Sequence, residues 1–295
     1  MPEELFRVRR PDGGLIEGRH VGPADGRTVV LHHGTPGSAL LAHEFAAVAE
    51  AHGLFVIALS RPGYAGSTRR AGRTVADVVA DVRLALDHVG RDRYASVGWS
   101  GGGPHALACA ARDAERCVGA WSLAGVAPYG VGFDWTAGMA EENVEEFRLA
   151  LEGGEAYLAM LEAARPLFLE ATPDTVVDLF GGLLPPVDRA ALAPLEAREL
   201  FVESLAQGFA EGYWGFHDDD RAFLTDWGFD PSAIDTPVAV WFGDADTMVP
   251  PSHGEWLVEH VARATRRFAP GEGHLSILAA RAADLAADLV ALARR

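Results

Sequence analysis

The chain has 295 residues, of which 49% are hydrophobic and 23% charged, a balance typical of globular proteins and not of disordered ones. Its formal net charge of −17 disfavours contact with phosphate backbones and anionic lipid headgroups, so we expect neither a nucleic-acid nor a membrane partner. All 25 basic residues are arginine, which excludes Schiff-base lysines, lysine-anchored pyridoxal phosphate and lysine-bearing phosphate loops.

The first third of the chain alternates strand-like and helix-like segments. Residues 5–8 and 15–18 lie on either side of a glycine-containing turn and predict a hairpin. Short apolar runs follow, as is typical of strands buried on both faces, and helix-periodic segments separate them. The runs are 28–31, 54–59 and 94–97, and the helix-periodic segments are 38–52 and 74–89. This regular alternation predicts a parallel sheet.

The alternation stops after residue 123. A helix over 101–112 and a strand over 117–123 are its last elements here. Between residues 128 and 231 the sequence has acidic, helix-like segments that glycine and proline separate. The clearest of these segments are 141–151, 155–164 and 195–209.

Strand and helix alternate again near the end of the chain. The predicted order is strand, helix, strand, helix, at 238–242, 252–262, 265–268 and from 275 onward. The simplest organisation is an α/β core formed by residues 1–128 and 233–295, with a helical cap inserted over residues 129–232.

The cysteine count and the N-terminal residues bear on the cell compartment. Cys109 and Cys117 are too few for a disulfide framework, and no charged-then-apolar signal segment opens the chain. No apolar run reaches the roughly 20 residues of a membrane-spanning helix. We expect a cytoplasmic protein.

The segment Gly98-Trp-Ser-Gly-Gly102 places a serine between glycines where a strand gives way to a helix. A tight strand-to-helix turn with small neighbours raises its central side chain above the sheet, as a nucleophile requires. We predict Ser100 as the nucleophile and the amide of Gly101 as one donor to a developing oxyanion. The alternative is a plain tight turn.

A serine nucleophile needs a histidine base, which in turn needs a carboxylate. His274 follows the last predicted strand and is our candidate base, while His32, His33 and His105 are other histidines near the same edge of the sheet. The alternative for His274 is a solvated loop histidine. For the carboxylate, the segment Gly243-Asp-Ala-Asp246 offers Asp246, further out on its loop, and Asp244, which is better placed to bind turn amides.

A second oxyanion donor should come from the loop after the strand at 28–31. That loop reads His33-Gly-Thr-Pro-Gly37, and because proline has no N–H, the amide of Thr35 is the predicted donor, with its hydroxyl as a reinforcement. The alternative is a turn that merely leads into a helix.

The predicted substrate contacts are less specific. His33, Trp99, Trp135 and Trp214 are our candidates, and further cap aromatics are either pocket or packing residues. These further aromatics are Phe147, Tyr157, Phe168, Phe180, Tyr213 and Phe216. The acidic triplet at 218–220 suggests a solvated loop, since adjacent carboxylates do not readily converge on one metal ion. No metal and no organic cofactor is predicted.

Together these motifs resemble the α/β-hydrolase superfamily over most of residues 1–128 and 233–295. The resemblance rests on the serine turn, on the loops that contain His33, Asp246 and His274, and on the segment Ser60-Arg-Pro-Gly-Tyr-Ala-Gly-Ser67. The resemblance implies an eight-stranded, mostly parallel sheet flanked by helices, a helical cap after the sixth strand, and hydrolysis of an ester, amide, thioester or lactone through an acyl-enzyme.

Within the superfamily, the His33 loop and the segment from Ser60 to Ser67 resemble proline iminopeptidases, which hold a substrate amino terminus with acidic cap residues. The cap has Glu141, Glu142, Glu145 and Glu146, which on one helix are typical of a solvated face. The serine turn departs from those peptidases, which typically have Gly-Gly-Ser-Trp-Gly. Haloalkane dehalogenases and epoxide hydrolases use an aspartate nucleophile, where this chain has Ser100.

The sequence therefore predicts a serine hydrolase of a small-molecule ester, lactone or amide. Three alternatives stay open: a receptor of the same fold with little or no turnover, a proline iminopeptidase-like aminopeptidase, and an acyltransferase or perhydrolase using the same three residues. The sequence does not fix the oligomeric state.

Overall fold

Apolar runs of the sequence form the strands of an eight-stranded sheet in the computed structural model, which describes residues 4–293. The strands are β1 (Glu4–Arg9), β2 (Leu15–Val21), β3 (Arg27–His32), β4 (Leu54–Leu59), β5 (Tyr94–Trp99), β6 (Cys117–Leu123), β7 (Val238–Gly243) and β8 (Ala264–Ala269). Their order is β1-β2-β4-β3-β5-β6-β7-β8. Strand β2 runs antiparallel to β1 and β4, and the other neighbours are parallel. The predicted fold class, including the N-terminal hairpin, is confirmed.

Alternating side chains of the central strands enter two different cores. In β3, Val29 and Leu31 pack on one face with residues such as Leu289, whereas Val30 packs on the other with Ile57 and others. A strand with both faces buried has no polar side, because successive side chains point to opposite faces. This explains why the sequence there shows continuous apolar runs.

Helices cover both faces of the sheet and fill the segment between β6 and β7. They are α1 (Leu41–Glu44), α2 (Ala46–His52), α3 (Val78–His88), α4 (Gly102–Arg112), α5 (Glu141–Glu152), α6 (Gly154–Leu169), α7 (Val176–Leu179), α8 (Pro186–Ala191), α9 (Leu195–Phe209), α10 (Trp214–Phe223), α11 (Pro251–His260), α12 (Ser276–Ala280) and α13 (Ala282–Ala293). Within residues 4–293, none of these helices combines the length and apolarity needed to cross a bilayer.

We call residues 129–232 the cap segment, and its division from the core at these boundaries stays a prediction. Helices α5, α6 and α9 lie where the sequence predicts helices, although α6 runs five residues further than expected, to Leu169. The short helices α7 and α8 and the whole of α10 were not predicted. The helix predicted over 38–52 is split into α1 and α2 at Phe45.

The solvated loop predicted for residues 218–220 is wrong. These three aspartates lie in α10 and are buried, at 3%, 0% and 1% exposure. Each carboxylate has a partner: Asp218 binds Arg69, Asp219 binds arginines of the core, and Asp220 accepts a hydrogen bond from the hydroxyl of Tyr157 at 2.6 Å. The arginine and tyrosine side chains that bind these carboxylates lie 63 to 158 residues away in sequence, so local sequence context does not reveal the burial.

Asp219 joins the cap segment to the core. Its carboxylate accepts hydrogen bonds from Arg61, Arg73, the hydroxyl of Tyr64 and the hydroxyl of Thr35. Burial alone would raise the pKa of Asp219, but the positive charges of Arg61 and Arg73 hold it well below its usual range. The carboxylate is therefore ionised, and it lies in a site without access to water.

We expect Asp219→Asn to lower the free energy of unfolding at pH 7 by about 3–5 kcal/mol, because two buried guanidinium groups lose their counter-charge. Chemical denaturation of the variant and the native protein measures this difference. This stability difference should shrink as the pH falls through the pKa of Asp219, because the native carboxyl then becomes neutral, like the amide of the variant.

The matched control is Asp218→Asn in the same helix. Its partner Arg69 is partly exposed, at 31%, so we expect a smaller loss, of about 1 kcal/mol or less. Equal losses for the two variants would contradict the role given to Asp219.

Candidate active site

Ser100 occupies a strained turn between β5 and α4. Its φ of +55° lies in the left-handed region that residues with a side chain rarely adopt. The turn is held on both sides, because the amide of Ser100 donates to the carbonyl of Leu123 at 2.8 Å and its carbonyl accepts from the amide of Gly103 at 2.8 Å. The local geometry is that of the predicted serine turn.

The glycines around Ser100 are needed because backbones approach closely there. A Cβ atom on Gly98 would lie 2.0 Å from the carbonyl oxygen of Gly102, and one on Gly102 would lie 2.1 Å from the carbonyl oxygen of His32. Such distances are far below van der Waals contact. The Gly-x-Ser-x-Gly spacing is therefore a packing requirement of this turn.

The structure brings His274 and Asp246 together. The Nδ1 atom of His274 lies 2.8 Å from Oδ2 of Asp246, and both side chains are buried. The other oxygen of Asp246 accepts hydrogen bonds from the amides of Met248 and Val249. Asp244 instead accepts a hydrogen bond at 2.6 Å from the amide of Gly271, which lies in the loop after β8 and not in the turn of Asp244 itself.

Electrostatics favour a protonated imidazole at His274. Burial alone would lower the pKa of His274, but the negative charge and hydrogen bond of Asp246, together with the charge of Asp188, raise it above 6.5. The site thus stabilises the imidazolium that a general base forms when it accepts a proton.

His274 lies against the residue that precedes Ser100. The Trp99 indole packs on the His274 ring at a centroid distance of 5.4 Å, and its N–H donates to the His274 carbonyl at 3.2 Å. Met248 and Val249, whose amides bind Asp246, line the same cavity as Ser100.

The other histidines near this edge have different partners. His32 contacts the hydroxyl of Ser96, His33 contacts the carbonyl of Gly34, and His105 contacts the carbonyl of Gly101. All three are buried, and burial followed by the charge of Arg61 lowers their pKa values, to about 3 for His32.

Thr35 lies directly beside Gly101, and both residues line the cavity with Ser100. A Cβ atom on Gly101 would come within 2.2 Å of the Thr35 hydroxyl oxygen. That hydroxyl donates to Asp219 at 2.6 Å, so it is not the additional oxyanion donor that the sequence suggested. The backbone amides of Thr35 and Gly101 stay the candidate donors.

Arg61 fixes the loop that carries Thr35. Its guanidinium donates to the carbonyls of His33 and Gly34 and to Asp219, and its own backbone amide donates to Nε2 of His33. This arginine belongs to the segment from Ser60 to Ser67, whose sequence shows only a family resemblance and no role for Arg61. Its structural role is to join that segment, the Thr35 loop and the cap segment.

The cavity at Ser100 has a volume of about 340 Å³ and mostly apolar walls. The apolar residues come from both the core and the cap segment and include four of the predicted cap aromatics. They are Pro36, Val126, Phe147, Met160, Ala164, Phe168, Phe180, Leu183, Phe216, Phe223, Met248 and Val249.

The same cavity has an acidic wall. It contains Glu142, Glu145, Glu146 and Asp220, and among the described residues that form the wall, no side chain is basic. The solvated face predicted for these glutamates is wrong for Glu146, which is half-buried. Burial raises the pKa of Glu146 to about 8, and burial together with the charge of Glu146 raises the pKa of Asp220 well above its usual range. One oxygen of Asp220 accepts from Tyr157, while the other is buried without a partner.

The four predicted substrate contacts do not lie in the wall of this cavity. His33 is buried behind its loop contacts, and Trp99 packs on His274. Trp135 is buried against other aromatic rings and donates to the carbonyl of Ala127 at 2.7 Å. Trp214 stacks under the guanidinium of Arg69, 3.6 Å from its ring centre. All four satisfy packing or hydrogen-bond needs elsewhere.

The sequence has no local signal for the cap carboxylates that approach the site, above all Asp188 and Asp219. Asp188 lies in the short helix α8 and carries no local motif. No group of three His, Cys, Asp or Glu residues in the described part of the chain is arranged to hold a metal ion.

Comparison with known proteins identifies the family. Solved structures that are similar include bromoperoxidase from Bacillus anthracis, with 19% identity, a TM-score of 0.70 and coverage of 99% of this chain and 100% of that one. An esterase from Exiguobacterium antarcticum has 16% identity, a TM-score of 0.68 and coverage of 98% and 99%. The enol-lactonase from Burkholderia xenovorans has 19% identity, a TM-score of 0.63 and coverage of 99% and 100%.

At these identities the structural likeness concerns the fold alone. No curated protein matches the sequence. The family model described as alpha/beta hydrolase fold matches residues 27–280, which is most of the chain. On that match, this protein belongs to the alpha/beta hydrolase fold family.

Proposed function

We propose that the protein is a serine hydrolase that cleaves a carboxylic ester, lactone or amide of a small molecule through an acyl-enzyme. The observation that carries the proposal is the 2.8 Å contact between His274 and Asp246, next to a strained serine turn that lines a largely apolar cavity. Such a cavity is suited to a small organic substrate.

In the proposed reaction, Ser100 Oγ attacks the substrate carbonyl carbon while its proton passes to Nε2 of His274. The Thr35 and Gly101 amides donate to the resulting oxyanion. When the tetrahedral intermediate collapses, His274 returns the proton to the leaving group and the acyl group stays on Ser100. Water then attacks the acyl-enzyme by the same sequence of proton transfers. Asp246 holds Nδ1–H of His274 throughout.

Transfer of the acyl group to an alcohol or to hydrogen peroxide instead of water is the acyltransferase or perhydrolase alternative. The steps up to the acyl-enzyme are the same, so the two functions differ only in the second nucleophile.

The acidic wall supports a second candidate, in which the substrate carries a protonated amine, as in an aminopeptidase. A buried Asp220 oxygen without a partner and the nearby carboxyl of Glu146 offer acceptors for an ammonium group, and the wall provides no basic residue to neutralise them. An ammonium group of the substrate would donate to this unpaired oxygen and stabilise the ionised forms of Asp220 and Glu146.

Replacing the nucleophile tests the main proposal. We expect Ser100→Ala to reduce the turnover of a p-nitrophenyl ester by at least about 10³-fold, since only binding and oxyanion contacts would stay in place. Ser232→Ala should leave turnover unchanged, because Ser232 is exposed and does not line the cavity. A fluorophosphonate probe should label the native chain and not the Ser100 variant. Binding of small molecules without labelling or turnover would instead favour the receptor alternative.

The pH profile tests the base. Because His274 acts in its neutral form and its pKa is raised, we expect kcat/KM to fall as the pH decreases, with the midpoint above pH 6.5. Asp246→Asn should lower kcat and move the midpoint to lower pH, because it removes the main negative charge facing the imidazole. A midpoint well below 6.5 in the native protein would argue against His274 as the base.

Matched substrates test the amine candidate. We expect the native protein to prefer a prolyl ester over the cyclopentanecarbonyl ester, which has the same ring size and no amine. Glu146→Gln and Asp220→Asn should each reduce this preference about tenfold, as expected for the loss of a charge-assisted hydrogen bond. Glu141→Gln, exposed on the same helix as Glu146, is the control. Equal rates for the two esters in the native protein would reject this candidate.

A further inference from the structure

Asp188 of the cap segment binds the backbone of the loop that carries His274. It lies in α8 and is fully buried, at 0% exposure. One carboxylate oxygen accepts a hydrogen bond from the amide of His274 at 2.8 Å. The other accepts from the amides of Leu275 and Ser276, at 3.0 Å and 2.8 Å. Three consecutive amides thus converge on one side chain.

A carboxylate is suited to this position because the amides at the start of α12 have no partner within the helix. An ionised acceptor with two oxygens can bind all three donors, and such bonds to a charged group are stronger than those between neutral groups. An aspartate from a distant part of the chain therefore fixes the backbone conformation of residues 274–276.

Gly273 shows how closely this carboxylate packs against the loop that carries His274. A Cβ atom at this position would lie 2.6 Å from both carboxylate oxygens of Asp188. The φ of Gly273 is outside the left-handed range, so backbone strain does not demand a glycine here. Its lack of a side chain instead leaves the space that the carboxylate occupies.

Asp188 also acts on His274 through its charge. It is one of two carboxylates whose charge raises the pKa of His274 against the effect of burial, Asp246 being the stronger. The two differ in how they act, because Asp246 contacts the ring and Asp188 contacts the backbone of the same residue.

We propose that Asp188 is a positioning residue for His274, through which the cap segment holds the imidazole in place and contributes negative charge beside it. The proposal rests on the proposed function, in which His274 is the general base. A purely structural role, in which Asp188 only attaches α8 to the core, would affect stability and leave the chemistry unchanged.

Asp188→Asn is the first test. The amide keeps one oxygen acceptor and the shape of the side chain but loses the charge and one acceptor. We expect kcat to fall at least about fivefold with KM changed less than twofold, and the rate of fluorophosphonate labelling to fall in parallel. The midpoint of the pH profile should move to lower pH, because a negative charge near the imidazole is lost.

A titration of the His274 ring by NMR gives a readout that does not depend on turnover. The resonance can be assigned with His274→Gln, and its pKa should be lower in Asp188→Asn than in the native protein. Asp218→Asn is the matched control, since it removes another buried cap carboxylate, one that binds Arg69, and should change neither the kinetics nor the titration.

Gly273→Ala tests the same contact from the other side. We expect it to lower kcat in the native background, because the new methyl group displaces the carboxylate, and to have much less effect in Asp188→Ala, where the space is empty. Such non-additivity is what a double-mutant cycle detects for two residues in contact. Gly273→Ala also decides the matter should Asp188→Asn fail to fold.

Loss of thermal stability with kcat, pH midpoint and His274 titration all unchanged would overturn the proposal. That result differs from failure of the proposed function, in which the native chain itself would neither react with the fluorophosphonate nor turn over any ester.

Discussion

The geometry of the candidate site depends on buried carboxylates of the cap segment that find their counter-groups on loops of the sheet. Asp219 pairs with Arg61 and Arg73, and Asp188 accepts three backbone amides. Withdrawing an ionised carboxylate from water costs several kcal/mol unless charges and donors replace the solvent. Each carboxylate must therefore stay beside its charged or N–H partners, and this requirement also holds in place the loops that provide them.

Asp219 and Asp188 hold two different loops of the candidate site. Through Arg61 and the hydroxyl of Thr35, Asp219 holds the loop whose amide is the candidate oxyanion donor. Asp188 holds the loop of the candidate base. The cap segment thus helps to orient the candidate catalytic groups and also forms part of the cavity wall. Its contribution differs from that of an apolar cover, because directional hydrogen bonds specify position where hydrophobic contacts do not.

Neighbouring residues of one helix show how strongly the surroundings decide the chemistry of a side chain. Asp219 faces two guanidinium groups, which keep its pKa well below the usual range. Asp220 points to the other side, where burial and Glu146 raise its pKa and one oxygen has no partner. One step along an α-helix rotates a side chain by about 100°, so adjacent carboxylates enter different environments. Asp219 is a structural ion, whereas Asp220 belongs to the wall of the cavity.

Local sequence patterns were enough to predict part of this structure. Buried strands have apolar runs, and the turn at Ser100 needs glycines because backbones meet there, so the sheet and the positions of Ser100, Asp246 and His274 on its loops could be predicted. The surroundings of Asp188, Asp219 and Glu146 and the composition of the cavity wall became apparent only in the folded chain, where the four predicted substrate contacts pack elsewhere. A buried carboxylate depends on partners that are distant in sequence, 86 residues away for the bond of Asp188 to His274 and 158 for the pair of Asp219 and Arg61, and no local pattern encodes them.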